Sequence, residues 1–373
     1  MPVTNAFPCN RMTPRERILA ALSHQQPDRV PFSWGFGPTG EMAAALAEYL
    51  GARGLDWHRL RAATEDILWV GAAYTGPVLP ERTDIWGIRY KPVSYGAGAY
   101  GEMEHYPLAG VTTPEQIADH LWPDPTAYDD NGLRDAITES NPGRLKATRM
   151  SAGNPFEIYC WMTGLEEALL NLLTRPEVVV AALERITGFF EARLERALGA
   201  CGDLADTLFF ADDLGSQQGL LISNRLYREI LQPFHRRLFE AAKALAPHAK
   251  VMFHSDGAVF DILPDLIDAG VEVLEAVQVD AAGMEPERLK SAFGDRLSFH
   301  GAISVQALLP RADEAATEAE CRRLVQVLGA GGGYIAAPSH AIQVGTPPGN
   351  VLTMLRGVLG EEDYEGAMAE ARG

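Results

Sequence analysis

The chain predicts an α/β protein, a (β/α)8 barrel with an irregular, helix-containing N-terminal segment, and three observations carry that expectation. After about residue 145, short β-rich runs alternate with amphipathic helical stretches, the rhythm of a parallel sheet. Polar and ionisable residues recur directly after successive strands, where barrel enzymes assemble their sites. The length, 373 residues, falls within the roughly 200 to 400 that such barrels occupy as one domain.

Taken in order, Thr13-Pro14-Arg15-Glu16 reads as a capping box with proline at the first helical position, opening a helix that ends before Gln25-Gln26-Pro27-Asp28. Residues 1–12 are expected to form an N-terminal arm and residues 13–373 a single barrel domain. Between residues 30 and 106 the chain is rich in Gly, Pro and aromatics, including Trp34, Trp57, Trp69 and Trp86. That composition predicts irregular segments and lids over a cleft, with only short helices. Strands are expected over 146–150, 207–211, 250–253, 271–276, 296–299 and 334–337. The helices between them fall at 176–198, 224–245, 259–269, 285–293 and 314–328. Gly331-Gly332-Gly333 precedes a strand and no Lys-Ser/Thr follows it, so it reads as a tight turn and not as a phosphate loop.

Composition removes several classes of partner. Lys and Arg total 32 against 50 Asp and Glu, a net charge of -18. Such a charge repels phosphate backbones and anionic lipid, which excludes nucleic acid and membrane surfaces. Apolar runs such as 178–183 are far shorter than the roughly 20 residues that span a bilayer. Residues 1–12 show no basic-then-apolar signal pattern, and Cys9, Cys160, Cys201 and Cys321 form no CxxC pair. The expectation is a cytoplasmic protein with structural thiols.

The strand ends supply the candidate chemistry. Residues 207–211 run into Asp212-Asp213, 251–253 into His254-Ser255-Asp256-Gly257, and 273–274 into Glu275 with Gln278 beyond. The last two runs end at His300 and at Pro338-Ser339-His340. His254 and Asp256 lie two apart in extended chain and so share a face, as metal ligands or as a hydrogen-bonded pair. Adjacent Asp212 and Asp213 point to opposite faces. Asp212 is placed in the mouth and Asp213 left as a cap or loop acceptor. His340 suits a general acid or base.

Read together, Thr13-Pro-Arg-Glu-Arg17 with Pro27-Asp-Arg-Val-Pro31, Asp66-Ile-Leu68, Phe210-Ala-Asp-Asp-Leu-Gly215, His254-Ser-Asp-Gly257, Phe299-His-Gly301 and His340 before Thr346-Pro-Pro348 resemble the uroporphyrinogen decarboxylase superfamily. The resemblance covers nearly the whole chain. That superfamily holds the decarboxylase itself and zinc-containing, corrinoid-linked methyltransferases. In the decarboxylase branch an early Arg-Gln-Ala-Gly-Arg stretch binds the substrate's carboxylates. Here the stretch reads Trp34-Gly-Phe-Gly-Pro-Thr-Gly40, and residues 31–52 contain no Arg or Lys. A poly-anionic porphyrinogen would meet uncompensated repulsion, so haem biosynthesis is the weaker reading. Asp66, Tyr159 and His340 match positions in the decarboxylase cleft, which keeps a decarboxylase of another acid open. Asp66 would then stabilise a protonated intermediate, with Tyr159 or His340 moving protons.

In the methyltransferase branch a His-x-Cys pair and a later Cys bind zinc. The matching positions here are His254, Asp256 and Ser339, so both thiolates are missing. The remaining nitrogen and oxygen donors, His254, Asp256 and His340 with Glu275 or His300, suit zinc or a harder divalent metal. The resemblance therefore implies a methyltransferase that passes a methyl group from a small O- or N-methylated, aromatic substrate to a corrinoid on a separate protein. Its expected metal ligands are His254, Asp256 and Glu275, and its catalytic residues His340, Asp66, Tyr159 and Asp212. Trp34, Phe36, Arg149, Gln278 and His300 are expected to bind substrate, with the aromatic N-terminal third walling the pocket. A homodimer is admissible, and a binding subunit without chemistry of its own is the third reading.

Overall fold

The computed structural model describes residues 11–94 and 98–373. Most of the expected N-terminal arm, including Cys9, lies outside the described residues. The strands are β1 (Ile67–Val70), β2 (Arg89–Ser94), β3 (Ala99–His105), β4 (Ala147–Gly153), β5 (Thr207–Ala211), β6 (Lys250–His254), β7 (Val273–Ala276), β8 (Ser298–Ile303) and β9 (Tyr334–Pro338). Seven of them form one parallel sheet in the order β1-β4-β5-β6-β7-β8-β9.

Residues 31–33 complete the ring. Ser33 N donates to Ala336 O and Ala336 N to Pro31 O, both at 2.9 Å, while Asp66 N donates to Phe32 O at 3.0 Å. Pro31 has no N–H to give, which confines this eighth strand to a few residues. The fold is the expected α/β barrel, and its helices wrap the outside.

Alternation along the strands sorts side chains between two cores. Ile67, Ala147, Phe209, Met252, Val273 and Ile335 fill the barrel, and Ile18 and Leu22 of the helix Pro14–Leu22 close its lower end. Leu208, Phe210, Val251, Phe253, Leu274 and Phe299 face outward against the helices. Both faces are apolar because both are covered. The first helix starts at the expected capping box, with Glu16 N donating to Thr13 Oγ1 and Thr13 N to Glu16 Oε2.

The segment 30–106 is more regular than its composition suggests. It holds the helices Gly40–Gly51 and Trp57–Thr64, strand β1 and the antiparallel hairpin β2–β3. That hairpin is half-exposed and carries Pro92, so it lacks the alternating apolar pattern that marks a buried strand. The long helix expected over 224–245 is interrupted by a π-turn at Tyr227–Leu231 before Gln232–Leu245. Pro233 supplies the cause, since it cannot donate to the helical ladder. Gly331, Gly332 and Gly333 all have positive φ, and a Cβ on Gly332 would strike the Gln25 backbone at 2.5 Å, so the tight turn requires glycine there. Among the described residues no helix is long and apolar enough to cross a membrane.

Asp66 belongs to the lower end. It precedes β1 and is buried, accepting from Arg17 Nη1 at 3.0 Å, Arg29 Nη1 at 2.8 Å and Phe32 N at 2.8 Å. Its expected place in the cleft is therefore corrected: its oxygens tie the first helix and the short eighth strand to β1. Asp66→Asn should remove the buried charge that Arg17 and Arg29 share, leaving them only Asp28 and Asp363, and lower stability by about 3 kcal/mol. Chemical denaturation checks this, and unchanged stability with lost activity would return Asp66 to the reaction.

Candidate active site

Inward-facing residues at the C-terminal ends of the strands converge on a cavity of about 460 Å³. Phe36, Trp161 and Phe209 form its aromatic wall, while Asn154, Glu157, Asp213, His254, Asp256 and His340 supply polar groups.

His254, the last residue of β6, is buried and donates through Nδ1 to the carboxylate of Glu275 on β7. With Nδ1 engaged, Nε2 faces Asp213 and Asp256, lying 3.6 Å from an oxygen of each. Ligand atoms of Asp213, His254 and Asp256 all lie within 4.8 Å of one another. Asp256 N donates to Asp213 Oδ1 at 2.8 Å and Leu214 N to Ser255 Oγ at 2.8 Å, so the loops after β5 and β6 are pinned together. Asp256 Oδ1 is buried without a hydrogen-bond partner. An orphaned carboxylate oxygen beside an oriented imidazole nitrogen fits a divalent cation, with the carboxylate behind the histidine fixing its tautomer.

Electrostatics follow from this packing. Burial disfavours charge on His254, but Glu275, together with Asp256 and Asp213, outweighs it and pushes the imidazole up to about 9. Burial opposes the Glu275 charge as well, yet His254 and His300 hold its carboxyl well below the usual range. Burial raises Asp256. It also drives Glu157 up to about 7, against the hydrogen bond that Asn154 Nδ2 donates to it at 2.9 Å.

The structure gathers only part of the expected set. His254, Asp256, His340 and Phe36 line the cavity. His340 Nε2 lies 4.0 Å from Asp256 Oδ2. Glu275 lies behind His254 and holds it, while Asp213 stands beside it in the cavity, so the acidic partner at the open nitrogen is Asp213. Asp212 is corrected in the same way: it is fully buried on the outer side of β5, accepting from Glu157 N and His235 Nε2, both at 2.6 Å. It anchors the start of the helix Pro155–Thr163 and so places Glu157. Tyr159 is in the core, bonded through its hydroxyl to Asn171 Nδ2 at 3.1 Å. Trp34 is buried against Phe32 and Trp57 with its indole N–H on Thr64. Gln278 buttresses the loop after β6 by accepting from Gly257 N at 3.0 Å. Arg149 and His300 are buried in the barrel interior below the cavity wall.

Sequence reasoning missed Asp213, Glu157 and Trp161. For Asp213 the face emerges only in the structure, where Phe209, Ala211 and Asp213 share the inward side of β5 and its continuation. Glu157 and Trp161 follow a strand by only a few residues, within a helix whose buried positions mask its cavity-facing ones. The thiols of Cys160, Cys201 and Cys321 are free and buried. Burial pushes Cys201 up to about 11 and Cys321 up to about 12.

Comparison with known proteins accords with this fold. The model of the family described as Uroporphyrinogen decarboxylase (URO-D) matches residues 145–358. The chain is similar in structure to a methyltransferase from Methanosarcina mazei at 18% identity and a TM-score of 0.64, covering 93% of this chain and 98% of that one. At that identity the likeness shows the fold alone. A psychrophilic glycoside hydrolase family 10 endo-β-1,4-xylanase is similar at 12% identity and a TM-score of 0.38, over 58% of this chain and 73% of its own, a likeness too low to carry an argument. No curated protein matches the sequence.

The protonation pattern yields a pH prediction for the metal-free protein. Glu157 is raised from 4.5 to about 7, so the folded state binds its proton more tightly and stability falls as pH rises through that interval. His254 is raised from 6.5 to about 9, so the stability of its ion pair is present below 6.5 and lost as pH approaches 9. In excess chelator the melting temperature should therefore fall steadily from about pH 6 to pH 9. Glu157→Gln should flatten the lower part of that slope, and a melting temperature that rises over the window would contradict the assignment.

Proposed function

Because this chain belongs to the uroporphyrinogen decarboxylase family, we propose that it is the family's methyl-transferring kind of enzyme, removing a methyl group from a small O- or N-methylated aromatic substrate and passing it to a corrinoid on a separate protein. The observation that carries this reading is the cluster of Asp213, His254 and Asp256, with Glu275 behind the histidine, at an aromatic cavity. Asp213, His254 Nε2 and Asp256 would hold a divalent metal. Bound there, the ion supplies Lewis-acid polarisation of the leaving oxygen or nitrogen.

The chain's own residues do the rest. Glu275 keeps His254 Nδ1 occupied and its Nε2 turned to the cavity, and Phe36, Trp161 and Phe209 wall an aromatic ring and exclude water. When the methyl–oxygen bond breaks, its electron pair stays on oxygen, which then needs a proton. Glu157, raised to about 7, lines the same cavity and can hold that proton near neutral pH. Oxygen and nitrogen ligands in place of thiolates favour a hard leaving atom over a thiol acceptor. The decarboxylase alternative loses two of the residues it relied on, since Asp66 lies at the opposite end of the barrel and Tyr159 in the core.

Two measurements test this. Zinc, or a harder divalent metal, should copurify near one equivalent per chain, and His254→Ala should lose it. Asp213→Asn should weaken binding more than Glu275→Gln, which removes an orienting partner and costs about 10- to 100-fold in affinity. Full activity of a metal-free protein in excess chelator would end the metal reading. Separately, protein incubated with methoxylated aromatics and reduced cobalamin as acceptor should generate the absorbance of methylated cobalamin, along with the free phenol. Carbon dioxide release from those substrates, without methylation of the acceptor, would favour decarboxylation instead.

A further inference from the structure

Below the Phe36 ring the barrel holds a cation for which the proposed chemistry has no use. Arg149 projects inward from β4 and is 1% exposed. Its guanidinium stacks on the Trp69 ring at 3.9 Å. The hydrogen bonds it makes are poor: Nη1 reaches the Met252 thioether at 3.7 Å, Nη2 the Gly35 carbonyl at 3.4 Å, and Nε has no partner. Glu275 and Glu65 favour its charge only through space. His300, on β8, is fully buried with both ring nitrogens unpartnered, Nδ1 standing 3.5 Å from Glu275 Oε1. Five guanidinium donors left this unsatisfied are expensive in a dry interior, and they match the bidentate geometry of a carboxylate.

The cover over these groups is a short turn. Gly35 supplies the carbonyl that Arg149 touches, and a Cβ built on it would lie 3.9 Å from His300 Cε1. Phe36 lies across the opening, its ring centroid 5.2 Å from that of His254 and 5.3 Å from that of His340. Gly35 at φ +59 and Gly37 at φ +76 flank it, so both hinge positions have backbone freedom that other residues lack.

We propose that Arg149 and His300 form a carboxylate subsite beneath this turn, and that the substrate is a methylated aromatic acid whose carboxylate replaces the Gly35 contact when Phe36 lifts. The inference deepens the methyl-transfer reading, on which it rests for the choice of methylated ligands. Arg149 pairs with the acid through two N–H groups, His300 donates a third, and the aromatic wall takes the ring. The acid function is then read out one layer below the Asp213, His254 and Asp256 cluster.

Equilibrium binding tests this without turnover. Wild-type protein in excess chelator would be titrated calorimetrically with 2-, 3- and 4-methoxybenzoate and with the matching neutral methoxybenzamides. At least one acid should bind about 30-fold or more tightly than its amide, the scale expected for pairing a buried guanidinium. Arg149→Met should abolish that preference. Arg149→Lys should retain part of it, and Phe36→Ala should keep it, since the cations remain. Equal binding of every acid and amide by the wild type, no binding of any acid, or a preference that survives Arg149→Met would overturn the subsite. The wild-type comparison needs no variant to fold. A failed preference alongside intact methyl transfer sinks only this inference, whereas an acid preference without methyl transfer sinks only the reaction.

Discussion

The hydrogen bond between Glu275 and His254 Nδ1 sets the chemistry of the barrel mouth. Imidazole has two nitrogens, and a buried carboxylate on one of them decides which way the other points. Here that choice turns Nε2 toward Asp213 and Asp256, leaves an Asp256 oxygen without a partner, and produces a donor set shaped for a cation. The charge of Glu275 reaches further. It draws His254 toward the imidazolium in the absence of a metal and favours the Arg149 guanidinium through space. A neutral residue at 275 would thus disturb both His254 and Arg149 at once.

The two ends of the barrel divide the labour. At the lower end Asp66 and Asp206 gather Arg17, Arg29 and Arg15 around the strand starts, and these pairs hold the first helix as a plug. Each guanidinium there faces at least one carboxylate, although Arg29 Nε and Arg144 Nε make no hydrogen bond. At the upper end several buried groups lack partners, among them Asp256 Oδ1, Arg149 Nε and both nitrogens of His300. Unsatisfied polar atoms near the C-terminal ends of barrel strands suit a place where a ligand completes the hydrogen bonding.

Much of this was legible in the sequence. The parallel strands announced themselves by their spacing, and β5 begins and ends where its pattern says, at Thr207 and Ala211. The ionisable residues after the strands located the mouth, so His254, Asp256 and His340 were found without a structure. Facing was harder to read. A strand covered on both sides carries apolar residues on both, so nothing in Thr207-Leu-Phe-Phe-Ala211 reveals whether Asp212 or Asp213 continues the inward row. Asp66 misled for a different reason: the residues after it match a family motif, whereas its position before β1 puts it at the strand's wrong end for the mouth. The roles of Glu275 and Asp212 as supports depend on contacts between residues 21 and 23 positions away, respectively, which no local pattern encodes.

The central claim is that one imidazole nitrogen, oriented by Glu275, and aspartate oxygens form the metal site. X-ray absorption at the zinc edge of the loaded protein tests it most directly. The account predicts a first shell with a single imidazole at about 2.0–2.1 Å, oxygens in the remaining positions and no sulfur. It further predicts that His340→Ala leaves this spectrum unchanged. A shell containing two or more imidazoles, or any thiolate, would contradict it.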